Sequence, residues 1–165
     1  MRKFLNIGCG EDIKRSKDVE WTNVDIRNVK GVDKVCPADK LPFGNNTFDR
    51  VYACHLLEHF AMSDTARVLE EWVRVAKKGG EVWIAVPDIL KVAKGFVNSD
   101  IGRGVVMKYL YGGQGHEWNF HKAGFCCTHL EIAMRGVGLG SIRRFPKNEK
   151  DASNSEYSLN LKGIK

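Results

Sequence analysis

No apolar run in this chain approaches the roughly 20 residues that a membrane-spanning helix needs. The start, Met1-Arg2-Lys3 followed by a strand-like stretch, lacks the long apolar core of a secretory leader. These absences predict a soluble, cytoplasmic protein. Cysteine is scarce and odd in number: Cys9, Cys36, Cys54, Cys126 and Cys127 lie scattered through apolar segments, which argues against a disulfide frame. With His116, His121 and His129 the last two cysteines invite a metal reading, but there is no Cys-x-x-Cys pair, so no bound metal is expected. Basic residues form no run longer than Arg2-Lys3, Lys77-Lys78 or Arg143-Arg144, so the net charge of +6 describes a mixed solvated surface. Repeats, low-complexity tracts and linkers are also missing, and residues 1–165 read as a single domain with one core.

What is present is an alternation. Strand-like segments at Lys3 to Gly8, Trp21 to Ile26, Val32 to Cys36, Phe48 to Ala53 and Glu81 to Val86 are separated by helical or turn-rich stretches, which implies βαβ units and a mainly parallel sheet. The apolar run Val82 to Val86 reads as a central strand covered by helices on both faces. Val68, Leu69, Trp72, Val73 and Ala76 recur at helical spacing, with Ser63 as the expected N-cap and Lys77-Lys78-Gly79 as the expected end. After Pro87-Asp88 come an amphipathic segment through Val97, a glycine-rich passage from Tyr111 to Gly115, and a helix from Cys127 to Arg135. Ser141 to Phe145 and Glu156 to Lys162 then form a closing hairpin around a polar loop. Few residues lie between Gly10 and Trp21, fewer than the dozen or so of a helical crossover, so the first helix must be stunted or replaced by a turn.

Two features carry chemistry. Phe4-Leu5-Asn6-Ile7-Gly8-Cys9-Gly10 runs a strand into a Gly-x-Gly turn, where the missing β-carbons let backbone approach a ligand. The third glycine of the dinucleotide fingerprint is absent, since Asp12 and Ile13 follow Glu11. Asn23-Val24-Asp25-Ile26 places a carboxylate at the end of the second strand, where nucleotide-binding folds bond ribose hydroxyls and where a turn cap is the plainer alternative.

Further along stand Asp39-Lys40-Leu41-Pro42-Phe43, Phe48-Asp49, Leu57-Glu58-His59 and Lys78-Gly79-Gly80. With the first two motifs, these resemble the class I S-adenosylmethionine-dependent methyltransferases, in particular small type 11 members, from Lys3 to Asp88. The resemblance implies a three-layer Rossmann-like fold with a seven-stranded sheet in the order 3-2-1-4-5-7-6, only the seventh strand antiparallel. It places Gly8, Cys9 and Gly10 under the methionine and ribose of the cofactor, with Asn6 and Ile26 beside them, and Asp25 on the ribose. Asp39 would take the adenine amino group, Lys40 and Leu41 would line the adenine pocket, and Cys54, His55 and Leu56 would border the sulfonium and the acceptor. Lys78 stands where the family carries proline.

Methyl transfer asks mainly for alignment, with a base where the acceptor is a hydroxyl or protonated amine. His55 and His121 are the candidates for that catalytic role, with His59 and Glu58 behind them. The segment from Tyr111 to Phe125 reads as a substrate-facing flap. A small-molecule or sugar acceptor is expected. The alternatives are a nucleic-acid methyltransferase, against which the fourth strand lacks an Asp/Asn-Pro-Pro-aromatic ending, and a non-catalytic homologue that only binds S-adenosylmethionine.

Overall fold

The computed structural model describes residues 1–99, 102–146, 153 and 155–165. Its strands are β1 (Arg2–Ile7), β2 (Val19–Asp25), β3 (Lys34–Val35), β4 (Phe48–Cys54), β5 (Ala76–Pro87), β6 (Gly140–Arg144) and β7 (Ser158–Ile164). The helices are α1 (Thr65–Val75), α2 (Ile89–Val97), α3 (Arg103–Tyr111) and α4 (Cys127–Gly136). One seven-stranded sheet has the order β3-β2-β1-β4-β5-β7-β6, as expected. β1 runs parallel to β2 and β4, whereas β7 is antiparallel to both β5 and β6, so the closing hairpin forms with Arg143 opposite Lys162. The expected polar loop of that hairpin lies partly outside the described residues.

The period-two geometry of strands divides the sheet's side chains between two unlike faces. Leu5, Ile7, Val24, Val51, Ala53, Val82, Ile84 and Leu161 point to one face, where Val68, Leu69 and Trp72 of α1 and Leu130 and Met134 of α4 pack on them. Trp72 is fully buried and donates its indole N–H to the Ala38 carbonyl at 2.9 Å, tying the β3–β4 connection to α1. Truncating such a residue to alanine typically costs about 3–5 kcal/mol.

The other face carries no helix among the described residues, which corrects the expectation that helices cover both sides of β5. Trp83 packs there with Tyr52 and Phe145. Cations shield this layer: the Arg50 guanidinium lies 3.8 Å from the Trp83 ring centroid and the Lys162 ammonium 4.2 Å from it. Toward the ends of β1 and β2 the cover is backbone, with Asn6 Nδ2 donating to the Asp12 carbonyl at 2.9 Å and Lys14 N–H to Asn23 Oδ1 at 2.8 Å. The first crossover is therefore a helix-free segment, as its length required.

Both ends of the first long helix differ from expectation, and one helix is new. Ser63 belongs to a short 3-10 turn, Met62–Asp64, and Asp64 occupies the α1 N-cap position without a side-chain cap bond. At the far end α1 stops at Val75, because buried Ala76 already pairs with Phe48 of β4; Lys77 to Gly80 form a bulge before Arg50 meets Glu81. α3, between two glycine-containing passages, has no counterpart in the sequence reading.

Candidate active site

The carboxyl ends of β1, β2 and β4 converge on one side of the sheet, and the chain leaves each of them by a sharp turn. Gly8 follows β1 at φ +62°, and a β-carbon there would come within 2.7 Å of the Leu56 side chain. Cys9 N–H is held by the Val24 carbonyl at 3.0 Å and Gly10 N–H by Asp25 Oδ2 at 2.8 Å, so the Gly-x-Gly turn is bonded to the end of β2. Asp25 is buried at 6% exposure, and its other oxygen accepts from Arg27 N–H at 2.8 Å and Arg27 Nε at 3.2 Å. Asp25 thus caps the turn after β2, and it also borders a cavity.

That cavity, of about 410 Å³, is lined by Gly8, Asp25, Ile26, Pro37, Ala38 and Asp39 on one side. Leu56, His59, Phe60 and Asp64 form another wall, and Glu117, Trp118, Phe120 and Lys122 close over it. The size and the mixture of apolar walls with a few carboxylates suit a small organic ligand. Of the expected cofactor contacts, Gly8, Asp25, Ile26 and Asp39 meet here. Gly10 is tied to them through Asp25, while Asn6, Cys9, Lys40, Leu41 and Cys54 do not line the cavity. Asn6 is buried in its bonds to Asp12 and Asn23, and Leu41 N–H is clamped by Glu71 Oε1 at 2.6 Å. Cys54 packs against the Tyr52 and Trp83 layer on the helix-free face. Burial, assisted by the nearby Asp25 carboxylate, pushes the Cys9 thiol up to about 11, so it is a packing group at neutral pH. Asp39 is paired with Arg67 Nη1 at 2.7 Å.

A second cavity, of about 550 Å³, adjoins the first across His59 and is lined also by His55, Val105, Lys108, Tyr109, Asn119 and His121. His55 sits at φ +51° directly after β4, its N–H bonded to the Ala85 carbonyl at 2.8 Å. Its Nδ1 lies 3.1 Å from Glu58 Oε1 and its Nε2 lies 3.0 and 2.9 Å from the hydroxyls of Ser153 and Ser158. Both ring nitrogens are therefore engaged. His121 Nδ1 donates to the Tyr109 carbonyl at 2.9 Å and His59 Nδ1 to the Phe120 carbonyl at 3.1 Å, so in each ring Nε2 is the nitrogen left for a further partner. Burial lowers the His59 pKa below the ordinary histidine range, against the pull of Glu58.

The passage from Tyr111 to Phe125 differs from a loose flap over the acceptor alone. Trp118 and Phe120 are exposed at 48% and 42% but line the first cavity, so this wall serves both cavities. Phe125 is buried in the main core at 1%. Glycine here permits close packing: a β-carbon on Gly112, at φ +81°, would lie 2.4 Å from the Asn119 carbonyl oxygen. The backbone of Lys122 and Ala123 donates to the Glu58 carbonyl at 2.8 and 3.1 Å, locking this wall to the turn after β4.

A family model described as a methyltransferase domain matches residues 5–84, the stretch that builds the glycine turn, Asp25, Asp39 and the turn after β4. Residues 5–84 are thus similar to a methyltransferase domain, a match to just under half of the chain. Over 52 residues it is 46% identical to the ubiquinone/menaquinone biosynthesis C-methyltransferase of Desulfotalea psychrophila, a match spanning 31% of this chain and 20% of that relative. Among solved structures, a SAM dependent methyltransferase from Archaeoglobus fulgidus is similar at a TM-score of 0.66 and 16% identity, over 99% of this chain and 86% of that one. A possible histamine N-methyltransferase from Thermotoga maritima is similar at 0.65 and 18%, over 100% and 83%. At these identities the likeness to the two structures is one of fold. No helix of the described residues is long and apolar enough to cross a membrane.

Proposed function

We propose that this protein transfers a methyl group from S-adenosylmethionine to a small-molecule acceptor in the cytoplasm. The observation that carries the reading is that Gly8, the buried Asp25 and Asp39 line one and the same cavity. A β-carbon at position 8 would displace Leu56, so the turn has the shape of a cradle for close backbone approach. Asp25 would accept the ribose hydroxyls and Asp39 the adenine amino group, with Ile26, Ala38, Phe60 and Trp118 as apolar walls. Cys9 and Gly10 hold the glycine turn against β2 and Asp25, and Lys40 N–H bonds the Pro37 carbonyl at 3.3 Å beside Asp39. When bound, S-adenosylmethionine supplies an electrophilic methyl on a positively charged sulfur.

The acceptor belongs in the second cavity, because it shares His59 with the first and presents polar groups suited to an oxygen- or nitrogen-bearing molecule. His121 and His55 are the acceptor-side residues. His121 offers its free Nε2 to the acceptor, and His55, fixed between Glu58 and two serines, holds the turn after β4 in register with it. A carbon acceptor fits the named C-methyltransferase activity of the Desulfotalea relative. The test is His121→Ala in a screen of small phenolic and sugar acceptors with a labelled methyl donor. Methyl transfer should fall at least roughly tenfold, the low end of what a positioned acid–base group contributes. S-Adenosylhomocysteine affinity should stay within about threefold. Unchanged turnover would relegate His121 to packing.

A further inference from the structure

We propose that Glu58, His59 and His121 form a binding site for one divalent transition-metal ion of the zinc class, open toward the second cavity. Their ligand atoms, one carboxylate oxygen and two imidazole nitrogens, lie within 4.8 Å of one another. Glu58 is 1% exposed and its Oε2 has no hydrogen-bond partner among the described residues, which is a costly state for an ionised carboxylate in a protein interior. A cation at this point removes that cost.

The histidines are oriented for the same purpose. Each donates Nδ1–H to a backbone carbonyl, His59 to Phe120 and His121 to Tyr109. That is the outer-shell arrangement that fixes the tautomer and ring orientation of a metal-ligating imidazole and leaves Nε2 as the ligand. His121 Nε2 is 4.0 Å from Glu58 Oε1, and the two rings meet edge to face at 4.9 Å between centroids. A small contraction brings three ligands onto one ion. Two imidazoles and one carboxylate match the donor set of catalytic zinc sites and of non-haem iron sites, in which remaining positions stay open for water or substrate. The open side here is bounded by His55, Lys108, Tyr109 and Asn119.

The inference rests on the proposed function only for its use: an acceptor oxygen would bind the ion in an open position beside the methyl donor. The His121 imidazole then acts as a ligand rather than as the base. Binding itself can be read without turnover.

The experiment is titration of metal-free protein with Zn²⁺ by calorimetry, and with Co²⁺ by visible absorption, in wild type, Glu58→Gln, His59→Asn and a Cys126→Ser/Cys127→Ser double variant. Wild type should bind one ion, and Glu58→Gln and His59→Asn should each weaken it by roughly a hundredfold or more, the upper end of what even an outer-shell change costs. The cysteine variant should bind as wild type does, and the Co²⁺ spectrum should lack a thiolate charge-transfer band. Circular dichroism and thermal unfolding without metal report whether each variant is folded, and the affinity of the wild type for S-adenosylhomocysteine tests the cofactor reading separately. Equal zinc affinity in wild type and in folded Glu58→Gln, or a thiolate band lost in the cysteine variant, would overturn the site.

Discussion

Replacing Asp25 with alanine removes a carboxylate that serves two masters. In the protein alone it accepts Gly10 N–H at 2.8 Å, Arg27 N–H at 2.8 Å and Arg27 Nε at 3.2 Å. Losing them leaves part-buried donors without their partner and should cost about 1 kcal/mol of stability. If the same carboxylate also bonds a ribose, its charged hydrogen bonds are worth about 1.5–3 kcal/mol of affinity, or roughly 10- to 150-fold in Kd. Asp25→Asn separates the two: it preserves shape and acceptor capacity at one oxygen, so the fold should suffer less than in Asp25→Ala while cofactor affinity still falls. Calorimetry with S-adenosylhomocysteine gives the affinity, and thermal unfolding without ligand gives the stability. A lower Tm in both variants with affinity unchanged within about twofold would refute the ribose role and make Asp25 a turn residue.

Gly8→Ala forces an L-residue to φ +62° and puts a methyl 2.7 Å from Leu56, so it should cost about 1–2 kcal/mol in backbone strain alone and push Leu56 into the first cavity. S-Adenosylhomocysteine affinity should fall in the same titration, whereas Gly79→Ala, with open space around it, should lose stability alone. Glu71 is held below the ordinary carboxylate range by Arg74, whose hydrogen bonds, with that from Leu41 N–H, outweigh the opposing burial. Because its folded pKa is depressed, its stabilisation is present above the unfolded value and is lost as pH falls through the folded one. Glu71→Gln should therefore lower Tm at neutral pH by an amount equivalent to about 1 kcal/mol, and the gap from wild type should close in acid; a constant gap would show that the ionised form contributes nothing.

The first glycine turn was legible because it is written locally, and the sheet order because the motifs from Lys3 to Asp88 resemble a family with that order. Phe4 to Gly10 passes from strand to turn within seven letters, and Asn23 to Ile26 repeats the pattern at the next strand. The short first crossover likewise foretold a missing helix. What a linear reading misses is set by contacts between distant residues. Alternation cannot distinguish a helix over Trp83 from the stacked Arg50 and Lys162 that cover it. Helical spacing runs on through Ala76, yet pairing with Phe48 makes that residue strand. Glycines at 112 and 124 read as freedom to bend, and in the fold they are places where Asn119 and Ile89 come too close for a side chain. Ser153 and Ser158 reach His55 across 98 and 103 residues, and the orphaned oxygen of Glu58 emerges only once the wall around His121 closes on it.

The central claim, that the first cavity is a nucleoside site serving methyl transfer, is tested most directly by calorimetric titration of the wild-type protein with S-adenosylhomocysteine and S-adenosylmethionine. The account predicts saturable binding of one molecule per chain for both, weakened by Asp25→Ala. Absence of heat and of any Tm shift with either compound, in protein shown to be folded by circular dichroism, would contradict it.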